Sequence, residues 1–183
     1  MGYLVNDRSF VVVVAFFSLL AVIPSSQAGG CSCPPLWTGF GEHCYRFFSM
    51  NISWFEAENR CRDFTVPCSD GSTDGLFQGH LISVHSQEEF SFLSTMYESL
   101  RVKRTDRPVW VWMGLHDRGT EDSYEWIDGT ELDFTKWAPG QPNNYQEQDC
   151  SMFRLEDDEY YYHDVACDDN IRVEAFICKI PKW

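Results

Sequence analysis

The sequence predicts an α+β domain in which two helices come first and most of the strands come later. Two capping boxes, Ser53 with Glu56 and Ser86 with Glu89, each precede a stripe of apolar residues at helical spacing. From Trp110 onward the chain is instead rich in short β-favouring runs separated by turn residues. Because helices and strands are segregated along the chain, an α+β domain is favoured over a doubly wound sheet, in which they alternate.

The first 28 residues are predicted to be a signal peptide. After Arg8 the chain runs through an apolar stretch at 11–23, and small residues follow at Ser26 and Ala28, where a signal peptidase cleaves. The stretch is shorter than the roughly 20 residues that a spanning helix needs, which makes an uncleaved membrane anchor the weaker interpretation. We therefore expect a secreted protein with one domain at 29–183.

The domain is predicted to begin with a hairpin that bends at Gly39 and Gly41. A glycosylation sequon, Asn51-Ile-Ser53, precedes the first helix. That helix starts near Trp54, and its apolar face consists of Trp54, Ala57, Cys61 and Phe64. The segment 66–79 is predicted to be irregular and 81–84 to be a short strand. The second helix follows, with a stripe that contains Phe90, Leu93, Met96 or Tyr97, and Leu100.

After a basic loop at 101–108, the remaining elements are predicted strands. Residues 110–115 form a buried strand, and a short alternating run at 124–126 leads into the Asp128-Gly129 turn. Two more strands cover 151–155 and 175–180. The acidic run 156–159 is predicted to be a turn. The tyrosines at 160–162 allow two interpretations, which are strand packing and stacking on the apolar face of a sugar.

Charge and motifs exclude several function classes. The formal net charge is −14, and nucleic acids or anionic membranes require a basic face that this chain lacks. None of the five histidines belongs to a metalloprotease motif, and the chain has no nucleophile elbow or phosphate-binding glycine loop. We therefore expect a binding protein rather than an enzyme.

Eight cysteines downstream of a signal peptide indicate disulfides, although spacing alone leaves 105 connectivities open. A zinc cluster is the weaker interpretation, because the two-residue ligand spacings of structural zinc sites are missing. The loop 140–150 points to a different metal. Between its ends, every side chain except Pro142 and Tyr145 carries an amide or carboxylate oxygen, and Ca²⁺ prefers six to eight oxygens of this kind.

Several motifs in order resemble the C-type lectin-like domain family, and the chain is similar to its secreted, echinoidin-type invertebrate members. The resemblance covers about 33–182 and implies a fold of two helices and antiparallel strands. It rests on Cys33 to Tyr45, Trp54 to Cys61, Trp112 to Asp117, Tyr124 to Thr130, Gln141 to Asn143, His163 to Cys167, and Phe176 to Cys178. It implies the bridges Cys33–Cys44, Cys61–Cys178 and Cys150–Cys167. For Cys31 and Cys68 two interpretations stay open, an extra bridge within the chain and a link between chains that would raise avidity.

The resemblance also implies two calcium positions. An auxiliary position takes Asp117 and Glu121 from one segment, and Asn144 and Asp149 from the long loop. The sugar-binding position maps onto both ends of Gln141-Pro142-Asn143 and onto three further residues, which are Gln148, His163 and Asp164. In the family these three are Glu, Asn and Asp, so this chain has lost charge there, and calcium should bind weakly unless Glu147 also contributes. Imidazole is a poor calcium ligand.

The predicted function is calcium-dependent carbohydrate binding, in agglutination or innate defence. The sugar is left open, because Gln-Pro-Asn is neither the mannose-type nor the galactose-type triplet of the family, and two amides both donate and accept. Two alternatives remain. One is an acidic matrix protein that binds mineral or ice, and the other is a lectin-like module that binds a protein and no sugar.

Overall fold

The computed structural model describes residues 33–67, 76–100 and 110–182. The predicted signal peptide at 1–28, Cys31, Cys68 and the loop 101–108 lie outside these residues. In chain order the elements are β1 (Thr38–Phe40), β2 (His43–Phe48), α1 (Trp54–Arg62), β3 (Thr65–Pro67), β4 (Leu76–Gln78), β5 (His80–Leu81), α2 (Gln87–Leu100), β6 (Trp110–His116), β7 (Glu125–Trp126), β8 (Cys150–Glu156), β9 (Glu159–Val165) and β10 (Val173–Pro181). The α+β prediction is confirmed, with both helices before β6.

The main sheet has the order β1-β2-β10-β6-β8-β9, with β5 paired to β10 and β7 to β6. We expected antiparallel strands, and all of these pairs are antiparallel except β6 with β10, which run parallel. The sheet is therefore mixed. Because β10 lies between β2 and β6 at its centre, its residues from Val173 to Ile180 are all buried.

The first capping box is confirmed, and the second is formed only in part. At α1, Ser53 and Glu56 each accept a hydrogen bond from the other's backbone N–H. At α2, the Ser86 hydroxyl accepts from the Glu89 N–H at 3.1 Å. The Glu89 carboxylate does not complete a reciprocal box, because it accepts instead from the His85 N–H at 2.8 Å and points into the core.

Two predictions for the middle of the chain were wrong. The segment 66–79, expected to be irregular, contains β3 and β4, which pair through Val66 and Phe77. The strand expected at 81–84 is only His80–Leu81, because the backbone of Ile82 bonds individually to two strands: its N–H donates to Ile177 O and its C=O accepts from Gly114 N. Elements of two or three residues are too short to show a period in the sequence.

The strand interpretation of the tyrosine run is confirmed. Strands β8 and β9 form a hairpin in which Glu156 lies opposite Glu159, and the two turn residues, Asp157 and Asp158, both have positive φ. That backbone suits the twist of a two-residue hairpin. Tyr162, on β9, is fully buried against Phe90 of α2.

The three bridges implied by the resemblance are present, namely Cys33–Cys44, Cys61–Cys178 and Cys150–Cys167. Cys61–Cys178 fastens α1 to the central strand β10, as the buried face of the helix requires. The indole N–H of Trp54 donates to Met113 O at 2.8 Å and satisfies the polar atom of that buried ring. The first helix is thus fixed to the sheet by a covalent bond, a hydrogen bond and apolar packing.

A buried ion pair joins α2 to the sheet. Lys179 Nζ lies 2.8 Å from Glu89 Oε1, and both side chains are more than nine-tenths buried. The same carboxylate accepts a hydrogen bond from the Tyr45 hydroxyl, and Lys179 also donates to Ser83 O at 3.1 Å. Burial by itself would raise the pKa of Glu89, but Lys179 and Tyr45 outweigh burial and lower it.

We predict that Glu89→Gln lowers the free energy of unfolding by about 3–5 kcal/mol, because it leaves a buried ammonium without its counter-charge. Because the pKa of Glu89 is lower in the folded chain, the contribution is fully present above its ordinary value of 4.5 and is lost as the pH falls through the folded value. Denaturant unfolding at neutral pH and at pH 3 measures both effects. Glu88→Gln, at an exposed position on the same turn, is the control. Equal stability of the two variants would contradict a stabilising role for the Glu89–Lys179 ion pair.

Candidate functional site

The long loop is anchored at both ends to the β8–β9 hairpin. Before the loop, the backbone of Lys136 and Ala138 bonds to Tyr162 of β9, with Tyr162 N to Lys136 O at 2.7 Å and Ala138 N to Tyr162 O at 3.0 Å. After it, Cys150 begins β8, pairs with Val165 and carries the bridge to Cys167. The loop therefore leaves and re-enters the same rigid part of the fold.

One carboxylate holds the middle of the loop against the sheet. Asp164 Oδ2 accepts a hydrogen bond from the Asn143 N–H at 2.8 Å and another from the Asn144 N–H. Within the loop, Asn143 Oδ1 accepts from Tyr145 N at 3.0 Å, and Asn144 Oδ1 accepts from Gln148 N at 2.9 Å. The structure thus brings Asn143, Asn144 and Gln148 together with Asp164.

The other predicted loop residues lie on two sides. Gln141 precedes Pro142 through a cis peptide bond, and its amide oxygen is buried. Glu147 has a positive φ of 57° and lines a groove with Asp149 and Arg118. Glu147 therefore lies on the side of the loop near α1, whereas Asp164, predicted at the sugar position, contacts the Asn143–Asn144 turn.

The predicted auxiliary residues form an acidic group. Asp117 is 3% exposed, its N–H donates to Asp149 O at 3.1 Å, and its Oδ2 accepts from Asp122 N at 3.0 Å. Burial, and after it the charges of Asp149 and Asp122, raise the pKa of Asp117. Burial and the neighbouring charges of Asp117, Asp122 and Asp149 likewise raise the pKa of Glu121. Four carboxylates are therefore close enough to repel one another.

His163 is directed away from the loop carboxylate. On β9 it lies opposite Met152, and its Nε2 is 2.9 Å from Glu156 Oε2 and 3.3 Å from the Nε of Arg154. Burial and the charge of Arg154 lower the pKa of His163. Successive residues of a strand point to opposite faces, so His163 and Asp164 are turned apart. The predicted pair at 163–164 thus presents one carboxylate to the loop, and the imidazole takes part in a separate polar cluster.

The polar atoms at the two predicted positions fit a hard cation. Among the described residues, three buried oxygens without a hydrogen-bond partner lie here, namely Asp117 Oδ1, Gln141 Oε1 and Asp164 Oδ1. Carboxylate and amide oxygens are the donors that Ca²⁺ prefers, and a buried oxygen without a partner is costly. Within 33–67, 76–100 and 110–182, however, no three His, Cys, Asp or Glu side chains converge closely enough to hold a metal by themselves. The ligand sets stay a prediction.

The chain matches the family model for the lectin C-type domain over residues 51–180. It belongs to the C-type lectin family. It is 37% identical to echinoidin of Heliocidaris crassispina over 84% of this chain and 99% of that protein. It is 40% identical to the alpha-N-acetylgalactosamine-specific lectin of Patiria pectinifera over 90% of this chain and 93% of that protein. Among solved structures, the C-type lectin CEL-I of Cucumaria echinata matches with a TM-score of 0.68 and 28% identity, over 82% of this chain and 99% of that one.

Membership confirms the resemblance and the expectation of a non-enzymatic protein. The chain is a member of a family of non-enzymatic proteins, and its relatives include carbohydrate-binding lectins. None of the helices in the described part of the chain is long and apolar enough to cross a membrane. In this C-type lectin domain, the long loop and the acidic group at Asp117 lie where β6, β8 and β9 end or begin.

Sequence reasoning missed two residues of this candidate site. Asp122 supplies both a backbone N–H to Asp117 and a fourth negative charge. Tyr124 packs edge-on against Trp137 at 4.9 Å, and burial together with the charges of Asp117 and Asp164 raises its pKa. The available signal for Asp122 was its position next to Glu121 in a polar turn. The sequence indicates Tyr124 only as a strand residue and as the first residue of a family motif.

We predict that Asp117→Asn raises the Tm of the calcium-free protein at neutral pH. The folded pKa of Asp117 is raised, so the folded chain binds its proton more tightly than the unfolded chain does. The ionised carboxylate therefore destabilises the fold as the pH rises above the unfolded value. Thermal unfolding in EGTA at pH 7 measures the effect, with Glu131→Gln, at an exposed position in another loop, as the control. A lower Tm for Asp117→Asn would contradict the prediction.

Proposed function

We propose that this protein is a secreted lectin that binds glycans through calcium held by the 140–150 loop. The observation that carries the proposal is the Asp164 carboxylate. One of its oxygens fixes the loop through two backbone N–H groups, and the other is buried without a hydrogen-bond partner. The apolar stretch at 11–23 with its small-residue cleavage signal supports secretion.

The residues that would hold calcium at the sugar position are Asp164, Gln141 and Asn143, with Gln148 and Glu147 as weaker candidates. Calcium, when bound, offers coordination positions to the vicinal hydroxyls of a sugar. Around it, the amide groups of Gln141 and Asn143 can each donate to one hydroxyl and accept from another. Since this set has a single certain charge, we expect the affinity for calcium to be modest and to rise when a glycan adds its own oxygens.

The auxiliary position would be held by Asp117, Glu121, Asn144 and Asp149. Three of these side chains are carboxylates. Burial and, after it, the neighbouring negative charges raise the pKa values of Asp117 and Glu121, and a divalent cation would relieve the repulsion among those charges. Asn144 links this position to the sugar position, since its N–H donates to Asp164 and its side-chain oxygen holds Gln148 N. Calcium at the auxiliary position would therefore keep the sugar-binding turn in place.

One observation favours a second candidate function, a lectin-like module that binds a protein without calcium. His163 occupies the place of a calcium-ligating Asn, and its Nε2 is held by Glu156 and Arg154. The middle of the loop is then held by Asp164, through hydrogen bonds that need no metal. Binding of a protein partner that persists in EGTA, with no glycan binding, would favour this candidate.

Two modifications belong to the same proposal. Asn51 is exposed, and its side-chain nitrogen makes only a 3.4 Å contact with Asn170 O, so the sequon is accessible for N-glycosylation. A disulfide-linked oligomer through Cys31 or Cys68 remains a prediction from the cysteine count. Mass analysis of the secreted protein before and after reduction and deglycosylation tests both.

We predict that calorimetric titration gives saturable calcium binding, and that N-acetylgalactosamine, galactose or mannose binds only with calcium present. The relative named for N-acetylgalactosamine makes that sugar the first to test. Asp164→Asn should reduce the calcium-dependent affinity for the sugar at least tenfold, because it removes the one certain charge at that position. Asp117→Asn should weaken calcium binding by a similar factor.

Glu131→Gln is the matched control and should change neither affinity. Differential scanning calorimetry gives an independent measurement of binding, since a ligand at 100 times its Kd raises the free energy of unfolding by about 2.7 kcal/mol. Sugar binding that is unaffected by EGTA would overturn the calcium-dependent mechanism, and the absence of binding to any of the three sugars would argue against the lectin function.

A further inference from the structure

A groove lies between the long loop and the start of α1. It has a volume of about 510 Å³ and borders the predicted calcium residues Glu147 and Asp149 on one side. Phe55 lines the opposite side, with Arg118 and Asp168 also in the lining. The volume is within the range that small-molecule sites occupy.

Phe55 is the unusual feature of this groove. It lies in the first turn of α1 and is 46% exposed, while its neighbour Trp54 is buried beneath it. The two rings meet edge-on at 5.6 Å, and the guanidinium of Arg118 lies 4.6 Å from the centre of the Phe55 ring and 5.0 Å from that of Trp54. These contacts fix the aromatic ring in place and also position a hydrogen-bond donor next to it.

The polar lining indicates which ligand chemistry fits. Glu147, Asp149 and Asp168 are hydrogen-bond acceptors, Arg118 is a donor, and Gln146 is both. Hydroxyl groups satisfy such a mixture, and the apolar face of a pyranose ring suits an exposed aromatic side chain. Because three carboxylates face one guanidinium, an anionic sugar is disfavoured and a neutral one is favoured.

We propose that the Phe55–Arg118 groove is a second sugar subsite, which binds a neutral residue of an oligosaccharide whose terminal residue occupies the 140–150 loop. This inference rests on the proposed lectin function. Glu147 and Asp149 belong to the same loop as the predicted primary position, so the groove borders that loop on its α1 side. The groove therefore confers a preference for an extended chain over a single sugar, and it does so without contributing to the primary site.

The test compares methyl α-N-acetylgalactosaminide with a neutral tetrasaccharide that ends in the same sugar, by calorimetry in calcium. We expect the wild-type protein to bind the tetrasaccharide at least tenfold more tightly. Phe55→Ala should reduce that ratio to between one and three, while the monosaccharide and calcium affinities stay unchanged. Arg118→Gln should reduce the ratio to the same range. The matched control is Phe77→Ala, which removes a ring of similar exposure, 50%, on β4 and should leave the ratio intact.

The two proposals fail in different ways. Monosaccharide binding with no gain for the tetrasaccharide, or a gain that survives both Phe55→Ala and Arg118→Gln, overturns the subsite and leaves the lectin function standing. A wild-type protein that binds neither sugar overturns the lectin function and the subsite together. Circular dichroism and the Tm of each variant show whether a reduced affinity ratio results from the change in the groove or from a loss of folded structure. If Phe55→Ala does not fold, Phe55→Leu replaces it, because leucine keeps an apolar side chain and removes the ring.

Discussion

The conformation of the 140–150 loop, which forms the proposed binding site, depends on the hydrogen bonds from the backbone N–H groups of Asn143 and Asn144 to the Asp164 carboxylate. Hydrogen bonds from two N–H groups to one charged acceptor are stronger than hydrogen bonds between neutral groups. Here they join a loop of mostly polar residues to the end of strand β9. Without them, the loop would be fixed only at its ends, by Ala138 against β9 and by Cys150 in β8. The entropy lost in ordering the loop would then reduce the binding affinity, whereas a loop that is already ordered loses less entropy when a ligand binds.

The central strand of the sheet, β10, holds the elements on which those two hydrogen bonds depend. Strand β10 carries Cys178, which bridges to α1, and Lys179, whose ammonium is paired with Glu89 of α2. Both helices are therefore fastened to neighbouring positions of one strand, one by a covalent bond and the other by a buried ion pair. With the helices fixed, β6 and β8 present Asp117 and Cys150 at the same end of the sheet, where the loop and the acidic group meet.

The sequence was sufficient for the elements that leave a long or chemically specific pattern. Capping residues at Ser53 and Ser86, the helical stripes and the family motifs predicted both helices, the α+β class and three bridges, and the structure confirms all of these. What it missed depends on tertiary contacts. Glu89 was predicted to cap its own helix, but Lys179, 90 residues away, draws its carboxylate into the core. The position of Asp122 next to Asp117 is a property of the turn, and the short strands β3 and β4 exist only through each other.

The chemistry of the site suggests why its affinity would depend on more than one component. The proposed sugar position has lost a Glu and an Asn relative to the family, so calcium alone finds one certain carboxylate there, and the charge that remains is concentrated near Asp117. If a glycan contributes oxygens to the same ion, calcium must strengthen glycan binding by the same factor as the glycan strengthens calcium binding. With a weak calcium site, neither calcium nor the glycan binds tightly alone, and each binds more tightly when the other is present. Any additional contact that strengthens glycan binding therefore also strengthens calcium binding. The ring of Phe55, exposed beside Arg118 at the border of the same loop, is the feature of the described structure best suited to supply such a contact.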